Sequence, residues 1–166
     1  LNDLLKLRRC NQIFHVTKES LPLTNFGGVG QVVGDLSTLQ AAKLQQSVFV
    51  ILPKYGFVEN TRFVSGFEFK LGNRKVRGEI HIIEADNVRF LLLGAPNVYP
   101  DLWRSKLMED MYNCPHGLST DERDLYFSFV SAQVIAALVN VECRPRQTQF
   151  KPVVHVHSAT NAAVLW

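Results

Sequence analysis

Two stretches of this chain carry residue types able to do chemistry. The first is Phe26-Gly27-Gly28-Val29-Gly30-Gln31-Val32-Val33-Gly34, a glycine-rich run that leads into apolar residues of helical spacing. A helix N-terminus presents unpaired amides and partial positive charge, and glycines let a phosphate approach the backbone. Gly28 and Gly30 are followed by Gly34, one place late for Gly-x-Gly-x-x-Gly, and no Gly-Lys-Ser/Thr follows. About ten residues also separate the glycines from the nearest strand signal, where a dinucleotide fingerprint allows almost none. Two readings stand: a phosphate cradle, or glycines that let a long loop turn and a helix pack closely on a sheet. The second stretch is Val153-Val154-His155-Val156-His157-Ser158. Histidines two apart on a strand point to the same face. The carboxyl edge of parallel strands is where ligands of α/β proteins bind. A metal centre would need a third ligand that the sequence does not locate, so no metal is assigned.

The elements that must position these residues alternate. Residues 12–16 (Gln-Ile-Phe-His-Val) are a short β-branched and aromatic run, a buried first strand in which Phe14 and His15 are packed core residues. A loop from Lys18 to Phe26 leads to a helix over residues 28–45. Its apolar stripe is Val29, Val32, Val33, Leu36, Leu39 and Leu44, with Gln40 alongside. Ser47 to Leu52 is a near-continuous apolar strand of the kind covered on both faces, with Phe49 in the core; Lys54-Tyr55 beyond it reads as a solvated loop end, with a ligand contact the alternative. Phe63 to Leu71 and Arg74 to Glu84 alternate around Gly72-Asn73, a hairpin signal. A strand over Arg89 to Leu93 follows. Residues 97–118 are irregular, and Trp103 and Tyr112 there read as loop anchors, with stacking on sugar rings the alternative.

Ser119-Thr-Asp-Glu122 has capping-box spacing and opens a helix to about Val141, with Leu125, Phe129, Ala132, Ile135, Ala136 and Val139 on one stripe. Pro152 to Val156 is a last strand, and Ser158 caps a further helix toward Trp166. This order predicts an α/β fold: a Rossmann-like, mostly parallel sheet with helices on both faces and an antiparallel hairpin insertion. One domain over residues 1–166 is expected, continuing beyond its C-terminal end because Trp166 falls inside an apolar run.

Composition narrows the classes. The 166 residues are 46% apolar and 20% charged, which excludes disorder. Lys and Arg number 18 against 15 Asp and Glu, and the only tight basic cluster is Lys6, Arg8, Arg9, so no nucleic acid partner is expected. No apolar run approaches the ~20 residues that span a bilayer, and no membrane partner is expected. Cys10, Cys114 and Cys143 are an odd count without a Cys-x-x-Cys pair, the pattern of reduced thiols. Leu1 to Arg9 lacks the features of a signal peptide. An intracellular protein of cytoplasm or plastid, not a secreted one, is the expectation.

The stretch from His15 through Glu19, Pro22-Leu23, Asn25, Gly27-Gly28-Val29 and Gln31-Val32-Val33-Gly34 resembles the N-terminal signature of starch and bacterial glycogen synthases. That signature reads roughly His-Val-x-x-Glu-x-x-Pro-Leu-x-Lys-x-Gly-Gly-Leu-x-Asp-Val-x-Gly. The resemblance continues through Val50-Ile-Leu-Pro-Lys-Tyr55, Leu93-Gly-Ala-Pro-Asn-Val-Tyr99, the helix from Asp121 to Ala137, and Val153-Val-His155-Val-His157, which is similar to Val-Val-His-Ala-His-Asp-Trp. It is collinear from about residue 12 to 166. It implies the N-terminal half of a two-domain GT-B glycosyltransferase that extends α-1,4-glucan from ADP- or UDP-glucose with retention and without a metal or other cofactor. The partners so implied are a nucleotide-sugar, an α-glucan and a C-terminal GT-B domain.

By that resemblance Asn25, Gly27, Gly28, Gly30 and Gln31 are the substrate- and phosphate-binding candidates, and His155, His157 and Ser158 the catalytic ones. The departures fall on the chemistry. Asn25 stands where the family has a lysine, Gln31 and Ser158 where it has acidic residues, and Ala159 where it has tryptophan. An amide supplies no cation to a leaving diphosphate. Reduced or absent catalysis is therefore expected, and a divergent active member using a neighbour such as Lys18 is the alternative. A non-catalytic glucan-binding or assembly module is the reading from another class, and an unrelated nucleotide-binding domain a third.

Overall fold

The computed structural model describes residues 12–44, 46–97, 102, 104–112, 120–140 and 152–157. Ser158, Ala159, the helix expected after them, the cap residue Ser119 and Trp103 lie outside the described residues. So do all three cysteines.

The β-branched and aromatic runs form strands as expected: β1 (Gln12–Val16), β2 (Ser47–Pro53), β3 (Arg62–Leu71), β4 (Arg74–Ala85), β5 (Val88–Gly94) and β6 (Val153–Val156). They make one sheet in the order β3-β4-β5-β2-β1-β6. β1 pairs in parallel with β2 on one side and β6 on the other, and β2 pairs in parallel with β5. The β3–β4 and β4–β5 pairs are antiparallel. Gly72 takes φ +57° at the expected hairpin turn, a conformation that costs a side-chain-free residue little. The second turn was not signalled by a glycine: Asp86 and Asn87 both adopt positive φ, 51° and 63°, as a two-residue turn between twisted strands requires.

Two helices, α1 (Gly28–Leu44) and α2 (Thr120–Asn140), cover opposite faces. On the α2 face Phe14, Val16, Phe49, Ile51 and Leu91 meet Tyr126, Phe127, Val130, Val134 and Leu138. Phe14 and Phe49 are fully buried and stack at 5.1 Å. On the α1 face Ile13, Val48, Val50, Leu52, Phe90 and Leu92 pack with Val33. Among the described residues no helix is long and apolar enough to cross a membrane.

Both helical stripes need correction. Of the stripe expected on α1 only Val33 is fully buried, while Val29, Val32, Leu39 and Leu44 are exposed. The buried face consists of Gly30, Val33, Gly34 and Ser37. Backbone proximity decides this. A Cβ on Gly34 would lie 2.7 Å from Leu21 Cβ, and one on Gly30 2.9 Å from the Thr24 carbonyl oxygen. The loop presses on the helix there, and only small residues fit. The same loop is tied on by the Leu21 amide, which donates to the Gly30 carbonyl at 3.0 Å. On α2 the packed face is rotated from the expected one: Leu125 and Phe129 are exposed, and Tyr126, Phe127 and Val130 point inward. After the exposed Asp121 and Glu122 of its first turn, Arg123 and Asp124 are buried.

Gly34→Ala is expected to cost about 1–3 kcal/mol, because backbone and Leu21 must shift to admit the methyl. Gly28→Ala, at a position with nothing within 4 Å of the added carbon, is expected to gain about 0.5–1 kcal/mol of helix propensity. Urea denaturation of the two variants checks the contrast; equal effects would contradict the packing described.

Candidate functional site

β1, β2, β5 and β6 all run the same way, so their carboxyl ends and the loops after them share one edge. At β1 the order turns: the chain leaves β1 through α1 to β2 on one side, and β6 arrives on the other from α2 on the opposite face. Such a switch point opens a crevice. Both sequence-identified stretches sit beside it.

The loop after β1 is ordered by its own polar side chains. Thr17 Oγ1 donates to the Glu19 carbonyl at 2.9 Å, and the Ser20 amide donates to Thr24 Oγ1 at 2.8 Å. Glu19, 3% exposed, sends its carboxylate to the start of α1. Glu19 Oε2 accepts from the amides of Phe26 at 2.8 Å and Gly27 at 2.7 Å. Its other oxygen accepts from the Tyr112 hydroxyl. The chain thus places its own anion on two glycine-loop amides. Burial and the Glu19 charge push the Tyr112 phenol well above its ordinary range, so it stays a donor. Tyr112 is an anchor, as one of the two readings had it, and its ring meets that of Phe26 at 5.3 Å.

Lys18 is paired. Its ammonium lies 2.7 Å from the Asp124 carboxylate of α2, with both side chains largely buried. The Tyr55 hydroxyl donates to the Lys18 carbonyl at 3.0 Å. Tyr55 is 2% exposed, which corrects the expectation of a solvated Lys54-Tyr55 loop end. Lys54 closes the loop by donating to the carbonyls of Tyr55 at 3.1 Å and Val58 at 2.7 Å.

Of the other candidates, Asn25 is exposed, and its Oδ1 lies 2.8 Å from where a Gly30 Cβ would stand. Gln31 is exposed on α1 and donates to Asp35 Oδ2 at 2.7 Å, a one-turn pair along the helix surface. Gly27 and Gly28 are exposed and Gly30 is buried. Ser158 lies outside the described residues.

His155 and His157 share a face, as their spacing predicted, and a third histidine joins them. Register pairs His15 of β1 with His155 of β6. The three rings are near-parallel: His15 lies 5.0 Å from His155 and 5.2 Å from His157, at interplanar angles of 17° and 21°. His15 Nδ1 is 2.9 Å from His157 Nε2, and His15 Nε2 is 2.7 Å from Gln40 Oε1 of α1. The facing His15 Nδ1 and His157 Nε2 are thus directed at each other in the plane of the two rings. Among the described residues no group of three or more His, Cys, Asp or Glu side chains could hold a metal ion. Burial lowers the His15 pKa from 6.5 to about 4, and it lowers that of His157 as well.

Sequence reasoning missed Glu19, Asp124 and Gln40 as parts of this edge. Glu19 stood in the quoted signature, but its partners are far away in the chain. The glycine-spaced face of α1 was the one local signal that could have placed Gln40 inward.

The class defined by this fold and edge is a Rossmann-like domain of the kind that forms the N-terminal half of a GT-B glycosyltransferase. The sequence pattern of the starch synthase catalytic domain matches residues 12–163, and the chain belongs to that family. It is 35% identical over 102 residues to a glycogen synthase of Deinococcus deserti, a match covering 56% of this chain and 22% of that protein. It is 26% identical over 157 residues to a glycogen synthase of Hydrogenobaculum, covering 92% and 29%. The catalytic domain of starch synthase IV from Arabidopsis thaliana, solved with ADP and acarbose, superposes with a TM-score of 0.67 at 22% identity, covering 92% of this chain and 29% of that one. The chain therefore spans between a fifth and a third of the length of these relatives.

Two outcomes follow from the geometry. Glu19→Ala orphans two amides and a phenol, and should cost on the order of 3 kcal/mol in urea unfolding; a loss below about 1 kcal/mol would contradict the role given to Glu19. The histidine shift carries a sign. Above pH 6.5 His15 is neutral in both states; between 6.5 and about 4 only the unfolded chain takes the proton, so stability falls as pH drops through that window. The ceiling for His15 is on the order of 3 kcal/mol. Melting temperatures of wild type and His15→Gln at pH 7 and 4.5 test it, the wild type losing more; equal losses would refute it.

Proposed function

We propose that the chain is the N-terminal wall of the cleft of a retaining glycosyltransferase that moves glucose from ADP- or UDP-glucose to an α-1,4-glucan, and that its donor side is catalytically degenerate. The observation that carries the second half is the disposition of cations. Asn25 stands where the family sets a lysine, and Lys18, the neighbour able to replace it, is committed to Asp124 at 2.7 Å. Glu19, which the family signature shares, holds the amides of Phe26 and Gly27 and is no part of the departure. Among the described residues an incoming diphosphate would meet no uncommitted lysine at the start of α1. In the active arrangement the glycine loop would take the donor phosphates, the His155–His157 strand end would form the wall beside the sugar, and a second Rossmann-like half would supply the opposite side. Residues 1–166 alone should transfer no glucose.

A non-catalytic binding or assembly module is favoured by a separate observation. Val29, Val32 and Leu39, spaced along one side of α1, are 43%, 60% and 53% exposed. Helices with such an outer stripe commonly cover it with another surface.

Calorimetric titration of the intact protein with ADP-glucose and UDP-glucose, against the Asn25→Lys, Gln31→Asp, Ser158→Asp variant, separates the readings. Restored charge should tighten donor binding roughly 10- to 100-fold, the worth of one charge-assisted hydrogen bond at a partly desolvated site. Micromolar binding and turnover by wild type would overturn degeneracy. Binding by neither form would favour the module.

A further inference from the structure

We propose that Gln40 and His15 are positioning residues that fix the tautomer and the plane of the His157 ring at the crevice edge. The inference rests on the reading of that edge as a sugar-binding wall, but its geometry stands apart from it. The Gln40 side-chain carbonyl oxygen, 2.7 Å from His15 Nε2, can only accept, so His15 carries its proton on Nε2. His15 is fully buried and neutral near pH 7, and a neutral imidazole has one N–H. Its Nδ1 is therefore a lone pair, and the atom 2.9 Å away, His157 Nε2, must donate to it. A neutral His157 then holds its own lone pair on Nδ1.

The plane is fixed by independent contacts. The His157 amide donates to the Val16 carbonyl at 2.9 Å, extending the β1–β6 ladder past the last strand residue. The His157 ring lies edge to edge with His15, centroids 5.2 Å apart at 21°, and the His155 ring lies 5.0 Å from His15 and 6.4 Å from His157. The relay thus runs from α1 through β1 to the end of β6. It joins a residue 25 positions from His15 to one 142 positions away, across three elements. Hydrogen-bond partners behind a functional histidine set which of its nitrogens is protonated.

Histidine-selective ¹⁵N spectra of the intact protein at pH 7.5 read the tautomers directly. The expected wild-type pattern is a neutral His157 protonated on Nε2. Gln40→Glu, which keeps an acceptor oxygen, should preserve it, and Gln40→Leu should release His157 into a mixture of tautomers while the amide spectrum stays native. A merely structural Gln40 would lower stability without moving the tautomer ratio. Wild-type His157 protonated on Nδ1 overturns the proposal, a result that needs no variant to fold. So does an unchanged tautomer in folded Gln40→Leu. In the charge-restored variant above, adding Gln40→Leu should lower kcat about tenfold with donor KM within about twofold, and Gln40→Glu should recover it. If the charge-restored protein transfers nothing, the functional reading fails while the spectra still decide the relay.

Discussion

The carboxylate of Glu19 is the contact on which this edge of the molecule depends. Taking a carboxylate out of water costs several kcal/mol unless protein donors replace the lost hydration. Here two backbone amides and a phenol do so, from the start of α1 and from the 104–112 segment. The same contacts satisfy amides that a helix start leaves unpaired, and they place negative charge where the helix dipole favours it. Two stretches of chain are thereby locked to the end of β1. The Lys18–Asp124 pair does the matching work one residue earlier, fastening β1 to α2 on the opposite face. Adjacent residues of one loop thus hold the helices of both layers.

That arrangement explains why some features were legible in the sequence and others were not. Strands read well because their apolar runs are buried on both faces, so composition alone marked β1, β2 and β5. The Gly72-Asn73 turn read well because positive φ selects glycine. The Asp86-Asn87 turn has the same backbone requirement met by residues with a weaker signal. Helix faces read badly for a different reason. Valines and leucines of α1 keep helical spacing, yet the loop from Ser20 to Thr24 comes so close that glycine and serine hold the buried face. Hydrophobic periodicity measures what a helix can bury, and backbone approach decides what it does bury.

The site divides along the same line. That His155 and His157 share a face follows from the two-residue period of a strand and needs nothing else. That His15 lies against both rings requires β6 to lie beside β1 in the register His15↔His155, a fact of topology. That Gln40 completes the relay requires α1 to turn its small-residue side to the sheet. Each added partner comes from a longer-range constraint than the last, and local pattern stops at the first.

Of the substitutions against the family signature, Asn25 is the one on which this packing bears. Losing a lysine at position 25 would matter little if another ammonium could swing to the same phosphate. Lys18 is held by a largely buried carboxylate, and releasing it would leave Asp124 unpaired beside Arg123, Tyr55 and Phe127 under the apolar cover of Leu102 and Met111. Breaking such a pair costs about 3–5 kcal/mol, more than the roughly 1.5–3 kcal/mol that one charge-assisted phosphate contact returns. The neighbour cannot compensate on those terms. On the proposed reading, loss of charge at Asn25 is therefore uncorrected by the surrounding structure, whereas the histidine contacts need no net charge and hold on the other side of the same crevice.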